Sequence, residues 1–432
     1  MLAWGRAVAE DSAMRKSPGL FAWTVWSVGA IGFFCAFFQR VGPSIMVGEL
    51  MADFGVSAAL LGNLSALYFY AYASLQIPIG VMVDRWGPRR LMTIAWLLAG
   101  TGSLLFAAAD TLEAAYLGRF LIGVGSAFFF VCSLKIAAVW FPVERFALMG
   151  GLTLMAGMAG GVGGQAPTAW TVGVYGWRPT LAAAGIFAFV FAVVCWTVVR
   201  DRPGGGRRDL RSHAAPHLLA GLFSALRQPQ TWLLAAAAST MSATLLAFAA
   251  LWGVPYMMAE YGLSRPLAAG SISLMLIGWA VGSPAIGWLS DRVGSRRYPV
   301  IAVAVLSAVS FSALIFLRPM PLFLAEGLLF FNGVVSGGMV VLLAAARDSN
   351  SAEASGSAVS FVNTAIIFSG ALLQPVIGWL LDLNWDGRME AGARVYSVDA
   401  FNTAFLTLVA ANVLAIVLCL FVRDSKHRPK ES

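Results

Sequence analysis

The chain has 432 residues, of which 59% are hydrophobic and only 12% are charged, and its formal net charge is +8. A composition this apolar excludes a soluble globular protein and indicates an integral membrane protein. In the predicted topology most lysines and arginines lie on one side of the membrane, which is the positive-inside pattern, so the basic charge needs no nucleic-acid partner.

A membrane-spanning helix needs about 20 mostly apolar residues, and the sequence holds about twelve such runs with helical rather than alternating character. The first six are predicted near residues 21–46, 58–83, 91–109, 114–139, 147–172 and 179–199. The other six are predicted near residues 231–258, 266–289, 299–316, 322–345, 359–381 and 400–422. In the fifth run, closely spaced glycines predict tight backbone contact with a neighbouring helix: Gly157, Gly160, Gly161, Gly163 and Gly164.

These runs predict an all-α integral membrane fold made of two pseudo-symmetric six-helix bundles, residues 21–199 and 231–422. Residues 1–20 are expected to form a cytoplasmic N-terminus and residues 423–432 a cytoplasmic tail. Between the bundles, residues 200–230 form a cytoplasmic linker, in which apolar residues at helical spacing predict a helix on the membrane surface: Leu218, Leu219, Leu222, Phe223 and Leu226. The N-terminus shows no cleavable signal peptide, and we expect a multi-pass protein of the inner membrane.

A charged turn occurs twice in the chain. GVMVDRWGPRR at residues 80–90 is matched by GWLSDRVGSRR at residues 287–297, displaced by 207 positions. Upstream, residues 53–57 match residues 260–264 at the same displacement without a gap. One duplicated unit therefore built both halves, and a duplicated membrane unit indicates alternating access rather than catalysis.

With six plus six helices and a basic middle loop, the chain resembles the major facilitator superfamily, and each turn is similar to the G-x-x-x-D-R-x-G-x-R-R signature of that family. The resemblance implies that Asp84, Arg85 and Arg89, together with Asp291 and Arg292, are gating residues. A carboxylate at such a helix end can accept hydrogen bonds from another helix or pair with an arginine. The alternative is that these charges only fix the topology.

The segment RFLIGVG at residues 119–125 is similar to the helix-four motif of the same family. In many members its arginine is linked to proton coupling, so the resemblance implies that role for Arg119. The only acid predicted within a helix is Glu326, where shielding from water would suit a proton carrier. The alternative is that Glu326 lies at the external edge and pairs with Arg318.

Charged side chains inside spans are costly and are therefore functional candidates. Arg40 lies late in helix one, and with a short gap it aligns with Trp252 of the second half. The resemblance agrees, because members that carry organic anions often have an arginine near this place. Arg40 and Lys135 together would attract an anion. The alternatives are that Arg40 snorkels to the external interface and Lys135 to cytoplasmic water.

Further candidates for contact with a solute are polar or aromatic. Tyr68, Tyr72 and Gln76 form a narrow stripe on helix two at three- and four-residue spacing, which faces a wet cavity or a partner helix. The second half offers the amides Asn332 and Asn363 and the aromatic Trp252. For Trp252 an aromatic belt at the external interface is the alternative.

No metal site, cofactor or enzyme is expected, because no metal-ligand cluster and no nucleophile with a base stands at workable spacing. The cysteines fall in apolar runs, which indicates packing: Cys35, Cys132, Cys195 and Cys419. The expected partners are a small solute, a proton and the lipid bilayer, and we expect a monomer.

We therefore expect a secondary transporter that carries a small organic anion with proton coupling. One alternative is proton-coupled efflux of lipophilic compounds or siderophore-like solutes. The alternative from another class is a non-transporting receptor or scaffold on a transporter fold, since fold alone does not settle function.

Overall fold

The structure is a computed structural model that describes residues 19–203 and 214–424, except for the side chains of residues 147, 214–220 and 352. The predicted N-terminal segment, part of the linker and most of the tail lie outside the described residues. Eleven described helices are long and apolar enough to cross a membrane, or up to twelve if the bent pair Val47–Phe54 and Ala58–Leu75 forms one span. The predicted all-α membrane fold is confirmed.

The first half contains spans 1 to 6. Span 1 is Leu20–Val41, span 2 is Ala58–Leu75 with Ile79–Trp86, span 3 is Pro88–Ala107, span 4 is Leu112–Trp140, span 5 is Phe146–Gly163 with Ala166–Tyr175, and span 6 is Trp177–Val198. Spans 1 and 2 are joined by the 3-10 turn Gly42–Ile45 and the short helix Val47–Phe54, and a second 3-10 turn, Val143–Arg145, precedes span 5.

The second half begins after the linker helix Ala214–Arg227. Span 7 is Pro229–Tyr261 with a π-helical stretch Thr244–Trp252, span 8 is Arg265–Val293, span 9 is Arg297–Phe316, span 10 is Leu322–Ser336 with Met339–Asp348, span 11 is Ala352–Leu383, and span 12 is Val398–Leu420. Between spans 11 and 12, strands β1 (Met389–Glu390) and β2 (Ala393–Arg394) form an antiparallel hairpin. We name the end of the bundle that carries this hairpin the hairpin end, and the end that carries both charged turns the motif end.

The two bundles meet through span 2 against span 11 and span 5 against span 8. Their backbones touch where glycines lie on these helices: a Cβ at Gly62 would lie 2.6 Å from the carbonyl oxygen of Gln374, and one at Gly378 would lie 2.3 Å from that of Ala58. No larger side chain fits at either position without moving one bundle relative to the other.

Span 5 shows why its sequence is rich in glycine. A Cβ at Gly160 would lie 2.0 Å from the carbonyl oxygen of Phe34, and one at Gly157 would lie 2.6 Å from the ring of Phe33. The predicted close contact of this helix with a neighbour is confirmed, and the neighbour is span 1. The helix stops at Gly163 and resumes at Ala166, so span 5 is interrupted partway along its length.

Span 2 is also interrupted, although its sequence predicts one helix from 58 to 83. Regular helix ends at Leu75 and restarts at Ile79. Pro78 explains the interruption, because proline has no backbone N–H to donate and disfavours helical geometry in the residue before it. The consequence is that Gln76 lies at a break, beside the polar stripe that precedes it.

Candidate functional site

Arg40 lies in the last turn of span 1 and is only 5% exposed. Its guanidinium carbon stands 4.1 Å from the ring centroid of Phe37, 5.1 Å from Tyr72 and 5.6 Å from Tyr68. Among the described residues its Nε finds no hydrogen-bond partner. Within residues 19–203 and 214–424, no carboxylate forms an ion pair with it. Arg40 is therefore a buried cation surrounded by aromatic faces.

The aromatic shell of Arg40 reaches the second half of the molecule. Phe37 stacks on Trp279 of span 8 with ring centroids 6.3 Å apart. Phe69, 5.9 Å from the guanidinium, lies in contact range of a Cβ built at Gly370 of span 11. Arg40 is thus buried close to the boundary between the bundles, whereas the alternative expects its guanidinium to reach the external interface.

The polar stripe of span 2 continues from this cation. Tyr68 and Tyr72 are buried, and their rings stack with centroids 6.0 Å apart. One turn later the Oε1 of Gln76 accepts a hydrogen bond of 3.1 Å from the Nδ2 of Asn363 on span 11. The predicted contacts Tyr68, Tyr72, Gln76 and Asn363 therefore lie on one line from Arg40 across to the second bundle.

Arg119 of span 4 binds the backbone of the segment that carries Arg40. Its Nη1 donates to the backbone carbonyl of Gln39 at 2.6 Å and its Nη2 to that of Arg40 at 3.1 Å. Its guanidinium also stands 4.8 Å from the ring centroid of Tyr68. Span 4 comes this close because a Cβ at Gly123 would lie 2.5 Å from the carbonyl oxygen of Tyr68, so only glycine fits there. The arginine followed by spaced glycines thus holds spans 1 and 2 in register.

Two predicted solute contacts lie elsewhere. Lys135 forms an ion pair of 2.7 Å with Asp84 at the motif end, and both side chains are about two-fifths exposed. Asn332 points its Nδ2 at span 9, 2.9 Å from the Oγ of Ser310 and 3.2 Å from the carbonyl of Ser307. Neither side chain is brought to Arg40, because both are already bound within their own half. We therefore leave them out of the site.

Trp252 and Glu326 lie toward the hairpin end. Trp252 is fully buried and donates to the carbonyl of Gln374 at 3.0 Å, so it does not belong to an aromatic belt. It lines a vestibule of about 600 Å³ at the hairpin end.

Glu326 lies between spans 8 and 10, where its carboxylate accepts a hydrogen bond of 2.8 Å from the Oγ of Ser271. The alternative pairing of Glu326 with Arg318 is wrong.

The charged turns form a cluster in each half. In the first, Arg89 donates from Nε and Nη2 to the carbonyl of Trp196 at 3.0 and 2.6 Å, whereas Arg85 is exposed. In the second, Asp291 pairs with the arginine of its own turn, Arg296, at 2.6 Å, and Arg296 also reaches Asp348 at 3.2 Å. Arg292 instead stands 5.2 Å from the ring of Trp288.

The carboxylates that cap spans 3 and 9 are not those of the turns. Asp201, just after span 6, accepts from the backbone N–H of Arg89 at 2.9 Å. Asp424, just after span 12, accepts from the N–H groups of Arg296 and Arg297 at 2.7 and 3.0 Å. The sequence carries a signal for this pair, since Val-Arg-Asp ends both halves at 199–201 and 422–424.

The hairpin end is closed by contacts between the halves. Asp382, at the end of span 11, accepts from the first free N–H groups of span 2, Ala58 at 3.1 Å and Ala59 at 2.9 Å. Tyr396 donates to the same carboxylate at 2.6 Å. A second link is the ion pair of Glu49 with Arg265. Span 2 is thus tied to span 11, and the short helix between spans 1 and 2 is tied to span 8, by contacts at the hairpin end that cross between the halves.

Comparison of the sequence with models of known families identifies the family of the chain. The model of the Major Facilitator Superfamily matches residues 29–346 and 242–432, which together span nearly the whole chain. The chain belongs to the Major Facilitator Superfamily. The resemblance inferred from the repeated turns and the six-plus-six arrangement is thereby confirmed.

Two relatives by sequence and one solved structure are each similar to this superfamily member over about two thirds of its length or more. It is 26% identical to the membrane sensor protein UhpC of Salmonella typhimurium, with 94% of this chain and 91% of the relative covered. It is 26% identical to the gallate transporter of Pseudomonas putida, with 67% and 71% covered. The solved structure of a bacterial homolog to the human lysosomal transporter Spinster, in an inward-facing and unoccupied conformation, matches with a TM-score of 0.79 at 16% identity, covering 94% of this chain and 98% of that one.

Sequence reasoning missed three aromatic residues of the candidate site: Phe37, Phe69 and Trp279. Aromatic side chains within spans carry no mark that separates a site wall from ordinary packing, and only their distances to Arg40 and Phe37 reveal them. Transporters among the relatives, such as the gallate transporter, imply a small-molecule solute for this chain.

Proposed function

We propose that this superfamily member is a secondary transporter, not an enzyme, that carries a small organic anion by alternating access, with Arg40 as the anion's ligand. The observation that carries the proposal is the burial of Arg40 without a carboxylate partner in the described chain. An uncompensated buried charge costs several kcal/mol. A bound anion would supply the missing charge, so the site is organised for a negatively charged group.

Two further observations support an anion carrier. The aligned position of Arg40 in the second half is Trp252, so the cation occurs in one half only and is not required by the duplicated fold. In addition, the gallate transporter of Pseudomonas putida, a relative over two thirds of this chain, is named for an organic anion. The cation present in one half only and the name of this relative thus both favour an organic anion as the solute.

We place the motif end in the cytoplasm of a cell with an inner membrane, and both termini on that side, as the positive-inside pattern indicates. With the hairpin end closed by Asp382 and Glu49, the conformation is then inward-facing. Coupling to protons, through Glu326 or through an acidic group of the solute, is the simplest source of driving force. We propose that the protein works as a monomer and without a cofactor.

Flux into liposomes tests the proposal. Purified protein is reconstituted, a pH gradient is imposed, and uptake of labelled carboxylates is compared between wild type, Arg40→Gln and the matched control Arg388→Gln, whose side chain is exposed on the hairpin loop. Arg40→Gln is expected to abolish uptake, and Arg388→Gln to leave it unchanged. Unchanged uptake by a folded Arg40→Gln protein would overturn the anion site.

A second candidate function is a membrane sensor that binds the anion without moving it. The relative that favours it is the sensor protein UhpC, which aligns over 94% of this chain. The two functions differ in one measurement. A transporter binds the anion and shows flux in liposomes, whereas a sensor shows Arg40-dependent binding and no flux above that of empty vesicles.

A further inference from the structure

The walls of the Arg40 site are aromatic on several sides. Around the guanidinium stand Phe37, Tyr68, Phe69 and Tyr72, with centroid distances between 4.1 and 5.9 Å. Trp279 extends this wall from the second bundle by stacking on Phe37. Polarisable, flat faces of this kind select for a solute with a flat, apolar body.

The site offers charge for one anionic group. Arg119 is committed to the backbone carbonyls of Gln39 and Arg40, and Lys135 is committed to Asp84. A second carboxylate or a doubly charged phosphate would be buried against aromatic rings without a counter-charge, which is strongly unfavourable. The geometry therefore disfavours dicarboxylates and sugar phosphates.

Four buried N–H groups near this site have no acceptor in the described part of the chain. They are Nε of Arg40, Nε of Arg119, Nε2 of Gln76 and Nε1 of Trp279. Gln76 follows Tyr72 by one helical turn, and Trp279 stacks on Phe37, whose ring stands 4.1 Å from the guanidinium of Arg40. Buried donors are ordinarily satisfied, so a solute whose oxygen atoms accept from them would complete the site.

We infer that the solute is an aromatic monocarboxylate. Its carboxylate binds the guanidinium of Arg40, and its ring packs against Phe37 and Trp279, one from each bundle. This inference deepens the proposed function and rests on it. Because the ring would be held between residues of both halves, the same contact that selects the solute also joins the two bundles around it.

Four matched ligands separate the contribution of the negative charge to binding from that of the aromatic ring: benzoate, cyclohexanecarboxylate, phthalate and benzamide. Binding to purified wild type is measured by isothermal titration. Benzoate is expected to bind about threefold to tenfold more tightly than cyclohexanecarboxylate, since an aromatic pair adds a modest increment beyond area. Phthalate, a dianion, and benzamide, which has no charge, are expected to bind at least about tenfold more weakly than benzoate.

Variants locate the ring contact. Trp279→Leu is expected to reduce the preference for benzoate over cyclohexanecarboxylate to about one, whereas Trp279→Phe keeps part of it. Trp170→Leu, at an exposed position of span 5, is the matched control and leaves the preference unchanged. The preference is a ratio within one protein, so a loss of folded material does not alter it.

The outcomes separate the two proposals. If a non-aromatic or doubly charged anion binds best, and its binding depends on Arg40 but not on Trp279, the aromatic solute class is overturned and the anion carrier stands. If no anion's binding changes in Arg40→Gln, the proposed function itself fails. A benzoate preference that vanishes in Trp279→Leu supports both.

Discussion

The guanidinium of Arg119 binds the backbone carbonyl of Arg40 at 3.1 Å and that of the preceding residue at 2.6 Å. The buried cation Arg119 thus fixes the backbone of the segment that carries the second buried cation, Arg40. The arrangement makes Arg119 a positioning residue for the proposed anion site, and the proton-coupling role implied by its motif remains a prediction.

Replacing Arg119 with Gln is expected to raise the KM for the anion about tenfold, because charge-assisted hydrogen bonds of this kind are worth about 1.5–3 kcal/mol. The maximal rate should fall less than KM rises, since Arg40 itself is retained. Uptake kinetics in liposomes measure both. A loss of maximal rate with unchanged KM would show that Arg119 acts in another step, and loss of the response to a pH gradient would assign it to proton coupling.

The hydrogen bond between Gln76 and Asn363 is expected to stabilise the observed state by about 1 kcal/mol. Gln76→Leu, Asn363→Leu and the double variant form a thermodynamic cycle that isolates this term. Chemical unfolding in detergent supplies the free energies of unfolding of the wild type and the three variants. Additive effects of the two single substitutions would mean that the pair does not couple the bundles.

Asp382 is expected to keep the hairpin end closed. Asp382→Asn removes the charge that binds the N–H groups of Ala58 and Ala59, so the population open at that end should rise about tenfold. Distances between spin labels at Asp110 and Phe316, after replacement of the native cysteines, report the opening. Asp386→Asn on the same loop is the control and should leave the distances unchanged.

Asp424 is expected to stabilise the second half as a cap of span 9. Burial raises the pKa of this carboxyl, but hydrogen bonds from Arg297, Ser295 and Arg296 outweigh burial, so its pKa lies below its ordinary value. Because the folded-state pKa is depressed, the stabilisation is complete above the unfolded pKa of about 3.9. It is lost only as pH falls through the lower folded-state pKa.

Asp424→Asn should therefore lower the free energy of unfolding by about 1 kcal/mol, as the loss of other helix caps does. The decrease should be the same at every pH from 8 to 5. Thermal unfolding in detergent at several pH values measures the difference. A difference that shrinks between pH 8 and pH 6 would mean that another titrating group, and not this carboxylate, controls the effect.

Much of the site follows from features that sequence displays directly. Arg40 is evident because a charge inside an apolar run is rare, and the stripe of Tyr68, Tyr72 and Gln76 is evident because three- and four-residue spacing places side chains on one helix face. The duplicated turn fixes the two halves and the family. Their position inside an apolar run and their helical spacing are sufficient to identify these residues from sequence.

What sequence cannot supply is the direction in which a helix faces and the partner it meets. Lys135 and Asn332 have suitable depth, yet each is turned toward a neighbour in its own half. Asp201 and Asp424 escape a repeat search at a displacement of 207 because they lie 223 positions apart. The second half has a longer loop between its last two spans, residues 384–397, where the first half has Gly176 alone. Such residues are found only when helices are packed.

Isothermal titration of the transported anion into wild type, Arg40→Gln and Arg388→Gln decides whether Arg40 is its ligand. Removing one partner of a buried charge pair costs about 2–5 kcal/mol, so Arg40→Gln should weaken binding by about a hundredfold while Arg388→Gln binds as wild type does. Equal affinity in all three proteins would place the anion elsewhere in the molecule.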